Sequence, residues 1–431
     1  MISRREWFGL SLGAGASLAL TPQLLRALQA LQQQGGTLLQ RAIPSSGEKL
    51  PVIALSFSNH VSCADPAALR EVFKTFVDNG GRVLDAMHGN AASEQFHATA
   101  ANELGVQNKL FWSTRGIPPG GAGGPSGPGA AAAKAHVETW LGRLKTSKLD
   151  LVMLPPQIDP AHLAVLKEEK KAGRIRYIGV QVIASQLYPQ LESVMRNEPI
   201  DFIGVDYDVG NRKVEETILP LAQERKIGVM AFFPLGNNSG LSCGGTGRNL
   251  FARVGTTPLP EWAAEFDAKT WAQFFLKYVI SHPAVTVARV GTTKATHMLD
   301  DIGGGIGRLP TEATRKRMAA FVDALPALPP LPPNPAAAPG IALPVVILDR
   351  YVGEYKAASG FTMTIRRDGA TLFVKPSTNP EAPLNARSET RFQDPRGPFV
   401  EFQLDGQGKV TGAILEQQGP QGTQRLALER K

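Results

Sequence analysis

Eight short apolar runs, rich in β-branched residues and each followed by an amphipathic stretch, constrain this chain more than any other feature. They are PVIALS (51–56), RVLDA (82–86), KLFWST (109–114), LDLVML (149–154), RYIGVQV (176–182), DFIGVDY (201–207), IGVMAFF (227–233) and VTVARV (285–290). Such continuous apolarity suits a strand buried on both faces. The stretches between them, such as PAALREVFKTFVDNG, VEETILPLAQERK and TWAQFFLKYVISH, carry apolar residues at helical spacing. Regular β–α alternation implies a parallel sheet. Eight such units in about 280 residues fit an α/β fold of the (β/α)8 TIM-barrel kind. A doubly wound sheet has fewer strands and a glycine-rich first turn, and no GxGxxG follows the first run.

Two segments interrupt the pattern. GIPPGGAGGPSGPGAAAAK (116–134) reads as a loop after the third strand. In a barrel it would lie at the C-terminal face, where sites form, either as a lid or as a plain insertion. LPALPPLPPNPAAAPG (325–340) is dense enough in proline to be an extended spacer. Beyond it, DRYVGEYKAASGFTMTIRRDGATLFVKP, PFVEFQLDGQGKVTGAIL and TQRLALER alternate apolar and polar residues around tight turns. They predict a small antiparallel all-β domain, a barrel or half-barrel. Its VGEY stretch resembles the β domain appended to some serine-β-lactamase-like hydrolases. The domain contains no histidine, which excludes a Ser-His-Asp site within it. The expected organisation is therefore a leader and linker (1–42), a barrel (43–324), a proline-rich linker (325–342) and a β domain (343–431).

The first residues read MISRREWFGLSLGAGASLALTP. Arg4–Arg5 followed by a short apolar segment is the layout of a twin-arginine export signal. It implies handling by the twin-arginine machinery and a periplasmic or cell-envelope location. The segment is too short and too rich in Gly and Ala for a transmembrane helix. The net charge of +8 comes from scattered Lys and Arg. Nucleic-acid binding, which needs a clustered basic patch, is not expected. Cys63 and Cys243 are the only cysteines and lack metal-site spacing, so no metal is expected, and whether they pair stays open.

Four stretches in order resemble the aldo/keto reductase family over residues 43–324. AIPSSGEKLPVIAL resembles its opening hairpin. GRIRYIGVQVIASQL resembles the family's GxIRxIGVSN, and EETILPLAQERKIGVMAFFPL its seventh-strand region. ARVGTTKATHMLDDI resembles IPGTxxPEHxxxN at strand eight. The resemblance implies NADPH-dependent reduction of aldehydes or ketones. A tyrosine supplies the proton, an aspartate–lysine pair tunes that tyrosine, and a histidine orients the carbonyl.

Mapped residue by residue, Asp85 holds the aspartate position, and Ser93–Glu94 keep the following SE in register. The tyrosine position is Asn90, the lysine position Arg115 and the histidine position Pro155. Asn90 has no proton to give. Arg115 keeps a charge that pairs with Asp85 but titrates far above neutrality. His88, two residues before Asn90, is a candidate surrogate acid; a solvent-facing loop histidine is the plainer reading. For the cofactor, Gln181 takes a nicotinamide-amide position, and Phe233 either stacks on the nicotinamide or packs in the core. Gly291, Thr292, Thr293 and Lys294 offer backbone N–H groups and one cation to a phosphate. Val290 replaces the family proline, and Asp301 replaces the late asparagine.

The leading expectation is an exported aldo/keto reductase-like protein with impaired catalysis that still binds NADP(H) or a small ligand. Two alternatives stay open. One is an active NADP(H)-dependent oxidoreductase using His88 or water as the acid; the other is a non-catalytic binding or scaffold protein of the envelope.

Overall fold

A computed structural model describes residues 36–57, 64–86, 91–115, 129–236, 249–328, 338–358, 360–377, 381–419 and 422–431. The chain divides into two compact units, Met1–Pro326 and Ala327–Lys431. Cys63, Cys243, the leader and the loop 116–128 lie outside the described residues.

The first unit opens with an antiparallel hairpin, β1 (Gln40–Ala42) and β2 (Lys49–Pro51). It starts inside the segment read as leader and linker, because Leu38 already packs into the core. Eight parallel strands then close a barrel: β3 (Ile53–Leu55), β4 (Val83–Asp85), β5 (Phe111–Arg115), β6 (Leu149–Leu154), β7 (Ile175–Val182), β8 (Phe202–Asp206), β9 (Gly228–Phe232) and β10 (Val285–Val290). β10 pairs with β3 to complete the ring. Every expected run is a strand because a sheet buried on both faces demands unbroken apolar sequence.

Alternate residues of each strand point into the barrel. Ala54, Val83, Phe111, Leu151, Met153, Tyr177, Phe202, Met230, Phe232 and Val287 form its interior, and Ile43 and Leu50 of the hairpin join them from below. Two glycines make room for the inward phenylalanines. A Cβ on Gly204 would lie 2.4 Å from the Phe232 ring, and one on Gly228 would lie 2.7 Å from Phe202. A second cluster fills the space between the sheet and the outer helices.

Residues 130–134, read as the tail of a loop, instead form the first turn of helix Ala130–Leu144. The alanine run has the highest helix propensity of any residue type, and Gly129, at φ 110°, turns the chain into it.

One buried cation has a measurable consequence. Lys277, on helix Trp271–Ile280, is fully buried and donates to the carbonyl oxygens of Ile306 (2.5 Å) and Arg308 (2.9 Å). Burial pulls its pKa down to about 8 from 10.5, against the opposing pull of Asp267. The unfolded chain therefore binds more protons than the native one between these values, and this lysine's contribution to stability rises with pH across that window. The unfolding free energy of the wild type relative to Lys277→Met is expected to climb by about 3 kcal/mol from pH 8 to pH 10.5. Urea titrations at several pH values check this; parallel profiles would contradict it.

The second unit is a closed antiparallel barrel of β11 (Gly353–Lys356), β12 (Thr362–Asp368), β13 (Thr371–Pro376), β14 (Ala382–Ala386), β15 (Arg391–Gln393), β16 (Phe399–Leu404), β17 (Val410–Gly419) and β18 (Gly422–Arg430). The expected Asp-Gly turn joins β12 to β13, with Gly369 at φ 56°. Its core is filled by large side chains, among them Tyr351 stacked on Phe402 at 4.2 Å between ring centroids. A short helix, Val345–Asp349, precedes the strands; five residues are too few to show helical periodicity in sequence.

Candidate active site

The ends of the barrel strands carry polar side chains inward, continuing the alternation of the core beneath them. Asp85 follows Val83, Arg115 follows Phe111 and Ser113, and Arg289 follows Val287. Barrel closure brings these three strands round one side of the mouth: β10 adjoins β3, and β3 adjoins β4.

Asp85 is fully buried, Arg115 is 1% exposed and Arg289 is 7% exposed. Arg115 grips the Asp85 carboxylate in a fork, Nη1 to Oδ1 at 2.5 Å and Nη2 to Oδ2 at 2.6 Å. Arg289 Nη1 donates to Oδ2 at 2.8 Å, and the Ser113 hydroxyl donates to Oδ1 at 2.9 Å. A carboxylate has about four lone-pair sites, and these four bonds fill them. Both guanidinium groups also lie over the Phe232 ring, Arg289 at 4.3 Å and Arg115 at 5.3 Å from its centroid.

Burial alone would raise the Asp85 pKa, but the facing charges of Arg115 and Arg289 outweigh it and hold the carboxyl below the ordinary range. Burial pulls Arg115 down, Asp85 pushes it back, and Arg289 adds to the fall. A guanidinium starts so high that Arg115 stays cationic despite this. The cluster thus has no group that gives or takes a proton near neutrality. It is an ion-paired strut.

Pro155 follows β6 half-buried, with no donor to offer a carbonyl. His88 and Asn90 lie outside the described residues. Gln181 is half-buried near the end of β7, two residues after Gly179 on the inward face. At the end of β9 the inward ring is Phe232. Phe233 packs partly buried against the same cluster, with its backbone at φ 53° and its carbonyl accepting from the Gly236 N–H at 2.8 Å. A left-handed phenylalanine is strained, and its ring centroid lies 5.4 Å from the Arg289 guanidinium carbon.

The GTTK turn leads directly into helix Ala295–Gly304. Thr292 is buried and its hydroxyl accepts from the Lys294 N–H at 3.2 Å, whereas Gly291 and Lys294 are exposed and Thr293 is half-buried. Lys294 makes no side-chain cap, so its side chain leaves the first N–H groups of the helix uncapped and adds a cation close by, an arrangement suited to a phosphate. Asp301 is buried within this helix. Desolvation, with Asp300 nearby, pushes its pKa well above the usual carboxylate range.

Residues 55–315 match the aldo/keto reductase family. The chain belongs to that family. Residues 337–430 match a domain of unknown function, DUF3471. A probable aldo-keto reductase 1 from Glycine max is 24% identical over a stretch that is 44% of this chain and 58% of that protein. An aldo-keto reductase from Bacillus halodurans in its holo form superposes with a TM-score of 0.52 at 20% identity, over 66% of this chain and 96% of that one. One from Klebsiella pneumoniae, in complex with NADPH, gives 0.52 at 19% identity over 66% and 95%. At these identities the solved relatives establish the fold.

Within this family frame, Arg289 and Ser113 are the residues that sequence reasoning missed. The signal for Arg289 was present as an arginine inside the apolar run VTVARV. A charge on a doubly buried strand needs a counter-ion, and the counter-ion is Asp85.

Proposed function

We propose that this aldo/keto reductase family member binds a nicotinamide nucleotide at the C-terminal face of its barrel and does not run carbonyl reduction through a side-chain acid. The observation that carries the second half is the saturated Asp85 carboxylate. All four of its acceptor sites are taken by Arg115, Arg289 and Ser113, so it cannot tune a neighbouring donor. The positions of the family's tyrosine and histidine hold Asn90 and Pro155. The first half rests on the N–H groups of the helix that follows the GTTK turn, with Lys294 beside them and Gln181 at the strand ends. The bound dinucleotide would supply hydride chemistry. This chain's residues would hold its phosphates at the turn and its nicotinamide amide at Gln181.

A fluorescence titration with NADPH, and NADH alongside, tests the reading. Micromolar NADPH binding, weakened about tenfold by Lys294→Ala, is expected, with aldehyde and ketone turnover at background. Absence of binding at millimolar nucleotide would overturn the first half. Turnover abolished by His88→Ala would overturn the second and favour an active enzyme with His88 as its acid.

Export through the twin-arginine route to the periplasm or envelope belongs to the same proposal, supported by Arg4–Arg5 and the apolar segment after them. Cell fractionation should find Arg4→Lys/Arg5→Lys retained in the cytoplasm; unchanged export would refute it.

A further inference from the structure

We propose that the opposite, N-terminal face of the barrel carries a binding site for a small polyanion, a molecule with two or more adjacent phosphate or carboxylate groups. The site is a cleft of about 300 Å³ between the closing hairpin and the starts of three successive strands.

The topology assembles it. Arg82 immediately precedes β4, Lys109 comes two residues before β5, and Lys148 immediately precedes β6. Lys49 opens β2 of the hairpin. Adjacent strands lie about 4.8 Å apart, so consecutive strand starts bring these cations round one rim of the barrel floor. Thr146, Ser147 and Asn108 add neutral polar groups beside them.

The cleft contains five cationic and two acidic side chains, an excess of three positive charges. Both acids are already engaged. Arg176 pairs with Glu48 and, at 2.7 Å, with Asp150. The Asp150 carboxylate also accepts the Trp112 N–H at 2.8 Å, and Glu48 accepts the Tyr177 hydroxyl at 2.8 Å. Lys49, Arg82, Lys109 and Lys148 make no ion pair and no side-chain hydrogen bond among the described residues. Elsewhere on the same barrel some surface cations are matched, Lys167 with Glu198, Lys170 with Asp201 and Arg70 with Glu103, and others, such as Lys134, Lys145 and Lys226, stand singly among the described residues; the cleft differs in gathering four unmatched cations in one concave site.

Four like charges gathered in a concave site raise the local positive potential and concentrate anions there. The charges spread over three strand starts and a hairpin, a span of about 10 Å at two strand spacings. A single small anion reaches one side of such a rim; a molecule with several linked anionic groups reaches across it. The site is remote from the nucleotide turn, because it lies at the strand starts and Lys294 lies beyond a strand end.

Calorimetric titration of the full-length protein with sodium tripolyphosphate, and separately with citrate, tests the site at low ionic strength. Saturable binding is expected, weakening as sodium chloride is added because the interaction is solvent-exposed. The Arg82→Gln/Lys109→Gln/Lys148→Gln variant should bind at least about tenfold more weakly, and Lys134→Gln, on the exposed side of helix Ala130–Leu144, should bind as the wild type does. All three substituted residues are exposed, and a thermal melt verifies that the variant folds. Should it not fold, Lys109→Gln alone should still weaken binding. Tighter binding of tripolyphosphate assigns phosphate as the ligand group, and tighter binding of citrate assigns carboxylate. No heat with either compound at about 5 mM would overturn the proposal. So would affinity that Lys294→Ala abolishes and the strand-start variant leaves unchanged.

Discussion

Replacing Asp85 by alanine is expected to lower the unfolding free energy by about 3–5 kcal/mol, the cost of leaving buried charge uncompensated. Among the described residues Asp85 is the carboxylate that Arg115 and Arg289 share, and none of the three is more than 7% exposed. A buried lysine can shed its proton when it loses its partner; a guanidinium cannot. Both arginines would have to stay charged in a poorly solvated interior or move out of it, and Phe232, which packs against both, would lose its setting. Arg289→Leu should cost less, because the forked Asp85–Arg115 pair survives it. Urea unfolding of both variants gives the ranking, and an Asp85→Ala cost below about 1 kcal/mol would mean that the strut is not load-carrying. The pH dependence has a definite sign. The native pKa of Asp85 lies below its ordinary 3.8, so its contribution is fully present above that value and is lost as pH falls through the native one. The gap between wild type and Asp85→Ala should therefore stay constant down to about pH 4 and close below it.

The barrel was legible in the sequence for a physical reason. Doubly buried strands require apolar runs, and LDLVML and VTVARV coincide with β6 and β10 residue for residue. The hairpin's length, the alanine-led helix and the five-residue helix before the β domain were not legible, because local propensity and burial settle them rather than period. At the site, Asp85 and Arg115 could be paired on paper through the family pattern. Arg289 could not, because it meets Asp85 only after closure brings together residues 204 apart. Phe232 and Phe233 show a second limit. Alternation gives one of two adjacent phenylalanines the inward position but does not say which, and the left-handed backbone at Phe233 then breaks the alternation at the rim.

Restoring the tyrosine alone is not expected to restore chemistry. Asn90→Tyr returns a hydroxyl to the family position, but an unassisted phenol keeps a pKa near 10. A proton donor works best when its pKa is matched to the working pH. In the family that matching falls to an aspartate–lysine pair; here Asp85 is bound by two guanidinium groups and has no acceptor site left. Arg115→Lys by itself leaves Arg289 on the same carboxylate. The combination Asn90→Tyr/Arg115→Lys/Pro155→His/Arg289→Ile removes the competing charge, using the family's own residue at that point of the strand-eight stretch, and rebuilds the acid, its tuning pair and the carbonyl donor together. Its aldehyde reduction with NADPH should exceed that of Asn90→Tyr by about 10²–10⁴, the usual worth of a positioned general acid. Steady-state rates at saturating NADPH measure the difference. If Asn90→Tyr alone gave the whole gain, the second arginine would not be what silences the site. If the combined variant bound NADPH and still showed no gain, the lost acid and its tuning pair would not account for the silence. Gain only when Arg289→Ile is added to Asn90→Tyr/Arg115→Lys/Pro155→His would show that one inward arginine on the last strand converts a proton-tuning carboxylate into a structural one.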